Sequence, residues 1–317
     1  MLAGMSADVV RPSRAAVAAA TVTVVLWASA FVGIRAAAPY FSPGSLALGR
    51  LLAGSLTLLI FLAVRRQGLP PRAAWPGILI SGVIWFGLYM VALNWGEELV
   101  DAGTAAMLVN VGPAVMALLA GWLLHEGFPP RLLAGIAVSF AGTVIVGFSM
   151  SGKGQSSILG VVLCLVAAVT YAGGVVAQKP ALRHATALQA TTFGCVIGAV
   201  ACLPFAGQLV SDVASAPWTA TLNVVYLGVF PTAIAFTTWA YALARTTAGK
   251  MGSTTYAVPA VVVLMSWLVL GEVPGWLTLL GGALCLAGVA VSRSRPRTVA
   301  SDRSAPPTGR PAGRVRG

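Results

Sequence analysis

The sequence predicts an all-α integral membrane protein with ten transmembrane helices, arranged as two inverted five-helix repeats. Three observations support this fold class: an apolar composition, a series of segments long enough to span a bilayer, and an internal repeat. Of the 317 residues, 58% are hydrophobic and 9% are charged, whereas soluble domains carry about 25% charged residues. A soluble core cannot bury this much apolar surface, so lipid must surround most of the chain.

Ten segments have the length and composition of membrane spans, since a crossing helix needs about 20 mostly apolar residues. The predicted spans are 15–34, 45–64, 75–95, 103–124, 131–149, 158–178, 186–205, 219–243, 252–270 and 276–292. A signal peptide is the alternative for the first segment, because Arg11 and Arg14 precede it. Cleavage near residues 36–38 would leave nine spans. The apolar length favours a retained helix, because it exceeds the roughly 7–15 residues of a signal core.

An internal repeat relates the two halves of the chain. Residues 113–142 align without a gap on residues 259–288, an offset of 146 positions. Apolar composition alone explains some Ala and Leu matches, but it does not explain four identical pairs of other types: Pro113/Pro259, Glu126/Glu272, Gly135/Gly281 and Gly142/Gly288. Duplication of this kind is typical of transporter architecture.

The distribution of Arg and Lys predicts the orientation of the chain, because cytoplasmic loops carry an excess of these residues. With both termini in the cytoplasm, the opposite face holds only two basic residues, Arg35 and Lys153. The other charged residues on that face are acids: Glu97, Glu98, Asp101, Asp212 and Glu272. Each half has an odd number of spans, so the second half is expected to lie inverted. The predicted organisation is a cytoplasmic N-terminus (1–14), a first repeat (15–149), a linker loop (150–157), a second repeat (158–292) and a basic disordered cytoplasmic tail (293–317).

Several classes of chemistry are not indicated by the sequence. The four cysteines lie in apolar runs without metal-ligand or disulfide spacing, and the two histidines lie at span ends. The sequence contains no GxxxxGK[ST] phosphate-binding loop for ATP. We therefore predict no catalytic residues, no metal and no cofactor. The net charge of +12 is interpreted as a topology signal, not as a site for nucleic acid.

Two stretches resemble the EamA-type domain of the drug/metabolite transporter superfamily. The first runs from Gly103-Thr104-Ala105-Ala106 through Asn110-Val111-Gly112-Pro113 to Leu124-His125-Glu126, and the second runs from Tyr226-Leu227-Gly228-Val229-Phe230-Pro231-Thr232-Ala233 through Pro259 to Gly271-Glu272. Leu26-Trp27-Ala28-Ser29 and Arg50 also lie where that domain carries similar residues. The resemblance covers about residues 15–292. One departure is His125, which stands where the second copy has a glycine.

The resemblance implies a secondary transporter in the plasma membrane that binds a small molecule between inverted repeats and exposes it to each side in turn. It further implies an exporter of small metabolites, either amino-acid-like or otherwise polar or amphipathic. The resemblance leaves open whether the protein forms a homodimer. Because few acids are expected inside the spans, strong proton coupling is the weaker alternative for how transport is driven. Rival functions are a membrane-embedded lipid or glycan transferase, a channel, and a scaffold whose basic tail binds anionic partners.

Five residues are predicted to contact substrate: Arg50, Trp27, Tyr89, Asn94 and Trp239. Arg50 lies inside the second span among leucines, where a guanidinium costs at least about 2.5–3.5 kcal/mol unless it faces a cavity or a partner. A carboxylate on the substrate would supply that partner. The alternative is that Arg50 extends to the membrane interface.

Two further sets of residues have predicted structural roles. Pro113, Pro231 and Pro259 fall within spans, where each removes a backbone hydrogen bond. They are predicted gating hinges, with a tolerated kink as the alternative. Glu126 and Glu272 each precede a proline at the start of the next helix, so we interpret them as structural residues of a hairpin that complement the helix dipole, with proton transfer as the alternative.

Overall fold

The computed structural model describes residues 14–124, 127, 130–150, 158–272 and 275–293. Most of the predicted N-terminus, linker loop and basic tail lie outside these residues, as does Glu126. All regular structure in the described residues is helical.

The first half contains seven α-helices. They are α1 (Arg14–Ala37), α2 (Pro43–Val64), α3 (Trp75–Ser81), α4 (Tyr89–Leu99), α5 (Ala102–Val109), α6 (Gly112–Leu123) and α7 (Pro130–Met150). A π-helix, Gly82–Leu88, joins α3 to α4 so that the three form one continuous rod. Likewise, α5 and α6 together make one span with a break at residues 110–111.

The second half contains eight α-helices. They are α8 (Ile158–Ala181), α9 (Ala187–Ala201), α10 (Ala206–Ser215), α11 (Trp218–Leu227), α12 (Ala235–Leu243), α13 (Ala248–Gly252), α14 (Val258–Leu270) and α15 (Trp276–Arg293). A second π-helix, Gly228–Ile234, joins α11 to α12, and a 3-10 helix, Ser253–Ala257, joins α13 to α14.

Many of these helices are long and apolar enough to cross a membrane. Six candidate spans meet both criteria among the described residues: Arg14–Ala37, Pro43–Val64, Arg72–Leu99, Ala102–Leu123, Ile158–Ala181 and Trp218–Leu243. The pair Ala187–Ala201 and Leu203–Ser215 qualifies together but is bent by 54°. Shorter apolar helices are Leu133–Gly142, Val258–Leu270 and Leu279–Gly288. The chain is therefore an all-helical, multi-pass membrane protein.

The repeat found in the sequence extends to the helix boundaries. The two π-helices begin at residues 82 and 228, and α5/α13, α6/α14 and α7/α15 begin at the same offset of 146. The helices α1 and α8 are both 24 residues long and begin 144 positions apart. Because π-helices are rare, their presence at equivalent positions indicates that both halves have one helical plan.

The two halves interlock. The first helix of each half packs mainly on the opposite half: α1 contacts α11, α12 and α14, whereas α8 contacts α3, α4 and α6. The last helices, α7 and α15, pack along each other. The interface between the halves is therefore the core of the protein.

Two pairs of glycines allow α2 and α9 to approach the π-helices closely. A Cβ atom added at Gly54 would lie 3.0 Å from the Gly228 carbonyl oxygen, and one added at Gly198 would lie 3.1 Å from the Gly82 carbonyl oxygen. The pairs are equivalent in the repeat, since Gly54 corresponds to Gly198 and Gly82 to Gly228. This approach brings the α2 backbone, and with it Arg50, against the second π-helix.

Candidate functional site

A small cavity of about 40 Å³ lies between the two halves. Its polar and aromatic lining includes Trp27, Arg50, Tyr89, Asn110, Tyr171 and Phe236. These side chains come from α1, α2, α4, the break between α5 and α6, α8 and α12. The cavity holds little more than a water molecule or two, so an organic substrate requires the surrounding side chains to move.

Arg50 provides the positive charge of this cavity. Its side chain is 2% exposed, and its Nε donates to the Thr232 hydroxyl at 3.3 Å. Its Nη1 has no hydrogen-bond partner in the described part of the chain. An uncompensated guanidinium is costly at this depth. The geometry therefore suits an anionic group that enters the cavity and binds the free edge of Arg50.

The break at Pro231 accounts for the position of the Thr232 hydroxyl. Proline has no N–H, so the Leu227 carbonyl loses the donor that it would have in an α-helix. The Thr232 hydroxyl donates to that carbonyl at 2.8 Å, which leaves its lone pairs available to Arg50. The second half therefore orients the cation that the first half supplies.

Aromatic rings close the cavity on the side of α8 and α12. Trp27 contacts Tyr171 edge-on, with ring centroids 6.0 Å apart, and packs on Trp239 at 4.8 Å. Phe236 lies 4.8 Å from Trp85. Trp27 and Tyr171 occupy equivalent positions in α1 and α8, at the offset of 144, so the repeat brings them together at the interface between the halves.

The structure brings three of the five predicted substrate residues to this cavity: Trp27, Arg50 and Tyr89. Asn94 is buried, and its Nδ2 donates to the Pro43 carbonyl at 3.0 Å, so it ties α4 to the start of α2. Trp239 is fully buried behind Trp27. Asn94 and Trp239 support the cavity walls in this state, and a role in substrate binding stays a prediction for all five residues.

The three predicted hinge prolines lie at irregularities of the helices. Pro113 and Pro259 are the second residues of α6 and α14, and each follows a break within its span. Pro231 lies inside the second π-helix. These positions suit bending, although a hinge motion stays a prediction.

One end of the molecule is closed by a contact that we call the Arg35 clasp, formed by Arg35, Glu272 and the Glu97 carbonyl. Arg35 Nε donates to Glu272 Oε1 at 2.8 Å, and its Nη1 donates to the Glu97 carbonyl at 3.0 Å. The other Glu272 oxygen accepts from the Ala102 N–H at 3.4 Å. The clasp therefore joins α1, α4 and α5 to the end of α14.

Glu272 contacts other helices in addition to its predicted place in a hairpin. Gly271, with φ of 68°, ends α14 in the left-handed conformation, and the Glu272 N–H returns to the Ser266 carbonyl at 3.3 Å. This Schellman-type ending directs the Glu272 side chain toward α1 and the first turn of α5. The sequence has no signal for these two partners, because they lie far away along the chain.

The opposite end has an equivalent contact, the Lys179 clasp, formed by Lys179 with the Leu243 and Thr246 carbonyls. Lys179 Nζ donates to the Leu243 carbonyl at 2.6 Å and also to the Thr246 carbonyl. Lys179 corresponds to Arg35 at the offset of 144, and Leu243 corresponds to Glu97 at the offset of 146. In both clasps a cation binds backbone carbonyl groups at or just beyond a helix C-terminus, where the helix dipole favours positive charge.

Glu97 corrects an expectation from the sequence. The sequence places it in a connection on the outer surface and predicts few acids inside the spans. In the structure α4 continues to Leu99, and Glu97 is fully buried, with neither carboxyl oxygen hydrogen-bonded in the described residues. Two consecutive acids are typical of a solvated loop in a sequence. In the structure both lie on α4, where neighbouring residues point in different directions, so Glu97 is buried while Glu98 is partly exposed.

The chain is similar to known membrane transporters along most of its length. The EamA-like transporter family matches residues 14–148 and 158–294. A protein of Streptantibioticus cattleyicolor named as a probable terminal-alkyne amino-acid exporter is 38% identical over 284 residues, which cover 88% of this chain and 94% of that protein. The uncharacterized transporter YdfC of Bacillus subtilis is 35% identical over 264 residues, covering 83% and 86%.

A solved crystal structure shares the fold. It superimposes with a TM-score of 0.66 at 21% identity and covers 89% of this chain and 98% of that chain. The family and the named relatives are transporters rather than enzymes, in agreement with the helical membrane fold. On this evidence, the chain belongs to the EamA-like transporter family.

Proposed function

We propose that the protein is a ten-helix secondary transporter that exports a small amino-acid-like metabolite by alternating access between two inverted halves. The observation that carries the proposal is the cavity between the halves, where the free edge of a buried Arg50 faces aromatic walls. In this proposal the six long spans, the bent pair and the three shorter apolar helices are counted as ten crossings. The shared helical plan supports the repeat.

The cavity lining supports a substrate with a carboxylate and a small apolar side chain. Arg50 is the donor for the carboxylate, because a guanidinium binds this group through two parallel hydrogen bonds. The rings of Trp27, Tyr171 and Phe236 offer an apolar surface for the side chain and an electron-rich face for an ammonium group. The name of the relative from Streptantibioticus cattleyicolor refers to an amino acid of this kind.

The two clasps supply the gates of the proposed mechanism. The contacts of both clasps are formed in the structure, and we assign this arrangement to an occluded state of the proposed cycle. Opening the Lys179 clasp separates α8 from the end of α12, and opening the Arg35 clasp separates α1 from α4 and α14. Following the distribution of Arg and Lys, we place the Lys179 clasp at the cytoplasmic side of the plasma membrane, with both termini, and the Arg35 clasp at the outer side.

The transport proposal is tested with purified protein in proteoliposomes preloaded with radiolabelled L-propargylglycine, the smallest common amino acid with a terminal alkyne. Efflux should exceed that from protein-free vesicles. L-norvaline, the saturated analogue, should compete, because the aromatic walls recognise apolar bulk. The amine that lacks the carboxylate should not compete, because it cannot bind Arg50. Absence of flux for both amino acids, or equal competition by the amine, would refute the proposal.

A further inference from the structure

Glu97 lies between the central cavity and the Arg35 clasp. Tyr89 and Leu93 line the cavity from α4, and Glu97 follows Leu93 by four residues, so it lies on the same helix face one turn closer to the clasp. The backbone carbonyl of Glu97 is itself the acceptor for Arg35 Nη1. One residue is therefore part of the clasp through its backbone, and its buried side chain lies on the α4 face that carries Tyr89 and Leu93.

Glu97 differs from the other acids in the described part of the chain. Asp101 accepts from the Thr104 N–H and hydroxyl, Asp212 accepts from Ser42 and Ser45, and Glu272 is paired with Arg35. Glu98 is partly exposed. Among the acids that the structure describes, only Glu97 is fully buried with both oxygens lacking a donor. Burying an ionised carboxylate is costly unless a cation or hydrogen-bond donors compensate it.

Charged and titratable groups face Glu97 from every side that packs on it. Arg50 on α2 and Arg35 on α1 attract its negative form, whereas Glu272 after α14 and Asp101 before α5 repel it. Tyr89 on α4 and Cys164 on α8 also interact with it electrostatically. Arg35 is already paired with Glu272, whereas Arg50 Nη1 has no hydrogen-bond partner in the described residues. Arg50 is therefore the cation left to compensate an ionised Glu97.

We propose that Glu97 is a proton-binding site coupled to the substrate site, so that a carboxylate ligand on Arg50 and a proton on Glu97 bind together. This inference rests on the proposed function, since it assumes that Arg50 binds the substrate carboxylate. When the ligand neutralises Arg50, Glu97 loses its compensating cation and takes one proton from water. When the ligand leaves, Glu97 releases that proton and regains Arg50 as its counter-charge.

The coupling is reciprocal. If the ligand promotes proton binding, then a proton must promote ligand binding by the same factor. For one coupled proton, the affinity for a carboxylate ligand changes by at most about tenfold per pH unit and tightens as the pH falls. In transport, the carboxylate and the proton cross together, so outward movement of an accumulated amino acid carries a proton with it.

The test measures binding of L-propargylglycine to the full chain in nanodiscs by calorimetry, across pH values and in buffers of different ionisation enthalpy. We expect uptake of up to one proton per ligand bound and tighter binding at lower pH. In Glu97→Gln, proton uptake should vanish and the affinity should no longer depend on pH. Glu98→Gln is the matched control, and it should keep both effects.

The possible results separate the two proposals. Binding by the wild type without proton uptake would overturn the coupling and leave the transporter proposal intact, as would proton uptake that persists in Glu97→Gln. If neither L-propargylglycine nor its saturated analogue L-norvaline binds, both proposals are overturned. If Glu97→Gln fails to fold, infrared difference spectra of Glu97→Asp decide the matter, because ligand binding should raise the protonated-carboxyl band, and a band that does not respond would contradict the coupling.

Discussion

The two halves share a helical plan but differ in the chemistry that they bring to the cavity. Trp27 and Tyr171, Arg35 and Lys179, and the two π-helices are equivalent between the halves. The polar groups in and beside the cavity are not equivalent between the halves. Arg50 corresponds to Gly194, and the buried Glu97 corresponds to Leu243. The first half therefore supplies the charge, both halves supply aromatic walls, and the second half supplies the Thr232 hydroxyl.

This difference suggests that the symmetric and asymmetric features serve different purposes. In the proposed mechanism, the symmetric features, namely glycine contacts, helix breaks and clasps, would let the two ends open by the same motion. The asymmetric features would select a single substrate orientation, because Arg50 belongs to one half.

Removal of the Arg50 charge should have the largest effect. Arg50→Ala deletes the buried donor for the carboxylate, and loss of one partner in such a pair costs about 2–5 kcal/mol, so we expect at least about a thirtyfold loss of L-propargylglycine efflux. Arg50→Lys should recover only part of it, because an ammonium lacks the planar fork. Arg72→Ala, at an exposed arginine, is the control. Efflux by Arg50→Ala within twofold of wild type would contradict the proposed site.

The glycine contacts should differ between the halves in their tolerance of a methyl group. A Cβ at Gly198 would lie 2.5 Å from the Phe86 Cβ, whereas the first contact of a Cβ at Gly54 is at 3.0 Å. We expect Gly198→Ala to destabilise the protein by about 1–3 kcal/mol through overpacking, and Gly54→Ala by less. Thermal unfolding in detergent measures the difference, with Gly68→Ala as the control because a Cβ there meets nothing within 4 Å. A larger loss for Gly54→Ala would reverse the comparison.

The hydroxyl of Thr232 connects the second half to Arg50. Thr232→Val removes the acceptor for Arg50 Nε and the donor to the Leu227 carbonyl. Loss of a hydrogen bond to a charged group costs about 1.5–3 kcal/mol, so efflux should fall about tenfold or more. Thr237→Val is the matched control, because that hydroxyl bonds to the Ala233 carbonyl of its own helix. Equal effects of the two variants would show that Arg50 does not depend on Thr232.

The smallest effects are expected at the clasps. The Arg35–Glu272 pair is partly exposed, with side chains 31% and 24% accessible, so it contributes about 1 kcal/mol or less. Arg35→Gln should increase hydrogen–deuterium exchange several-fold at the end of α4 and the start of α5. Lys179→Gln should do the same at the end of α12. Exchange that rises equally at both ends in either variant would indicate general destabilisation instead of separate gates.

Much of the framework follows from sequence because it depends on local patterns. Apolar length predicts the membrane helices, and the offset of 146 predicts matched elements in both halves. The cost of a buried guanidinium draws attention to Arg50 in the sequence, and in the structure Arg50 is buried and lines the cavity.

Other features depend on tertiary contacts that leave no pattern. Pro231 indicates a break in the second half, but its equivalent in the first half is Trp85, so sequence does not reveal the first π-helix. Apart from the Glu272 carboxylate, the clasp acceptors are backbone carbonyls, which carry no residue signature. The burial of Glu97 depends on how far α4 extends and on packing against α8, where an added Cβ at Gly96 would lie 2.7 Å from Cys164 Sγ.

The most direct test of alternating access is the labelling of Ala106→Cys, which lines the cavity, in a background with the four native cysteines replaced. A membrane-impermeant thiol reagent should label this position from each face of the membrane, and L-propargylglycine should protect it. Arg35→Gln should increase labelling from the face that carries Glu272, and Lys179→Gln should increase it from the other face. Labelling from one face only in every variant would contradict a cavity that opens alternately to the two sides.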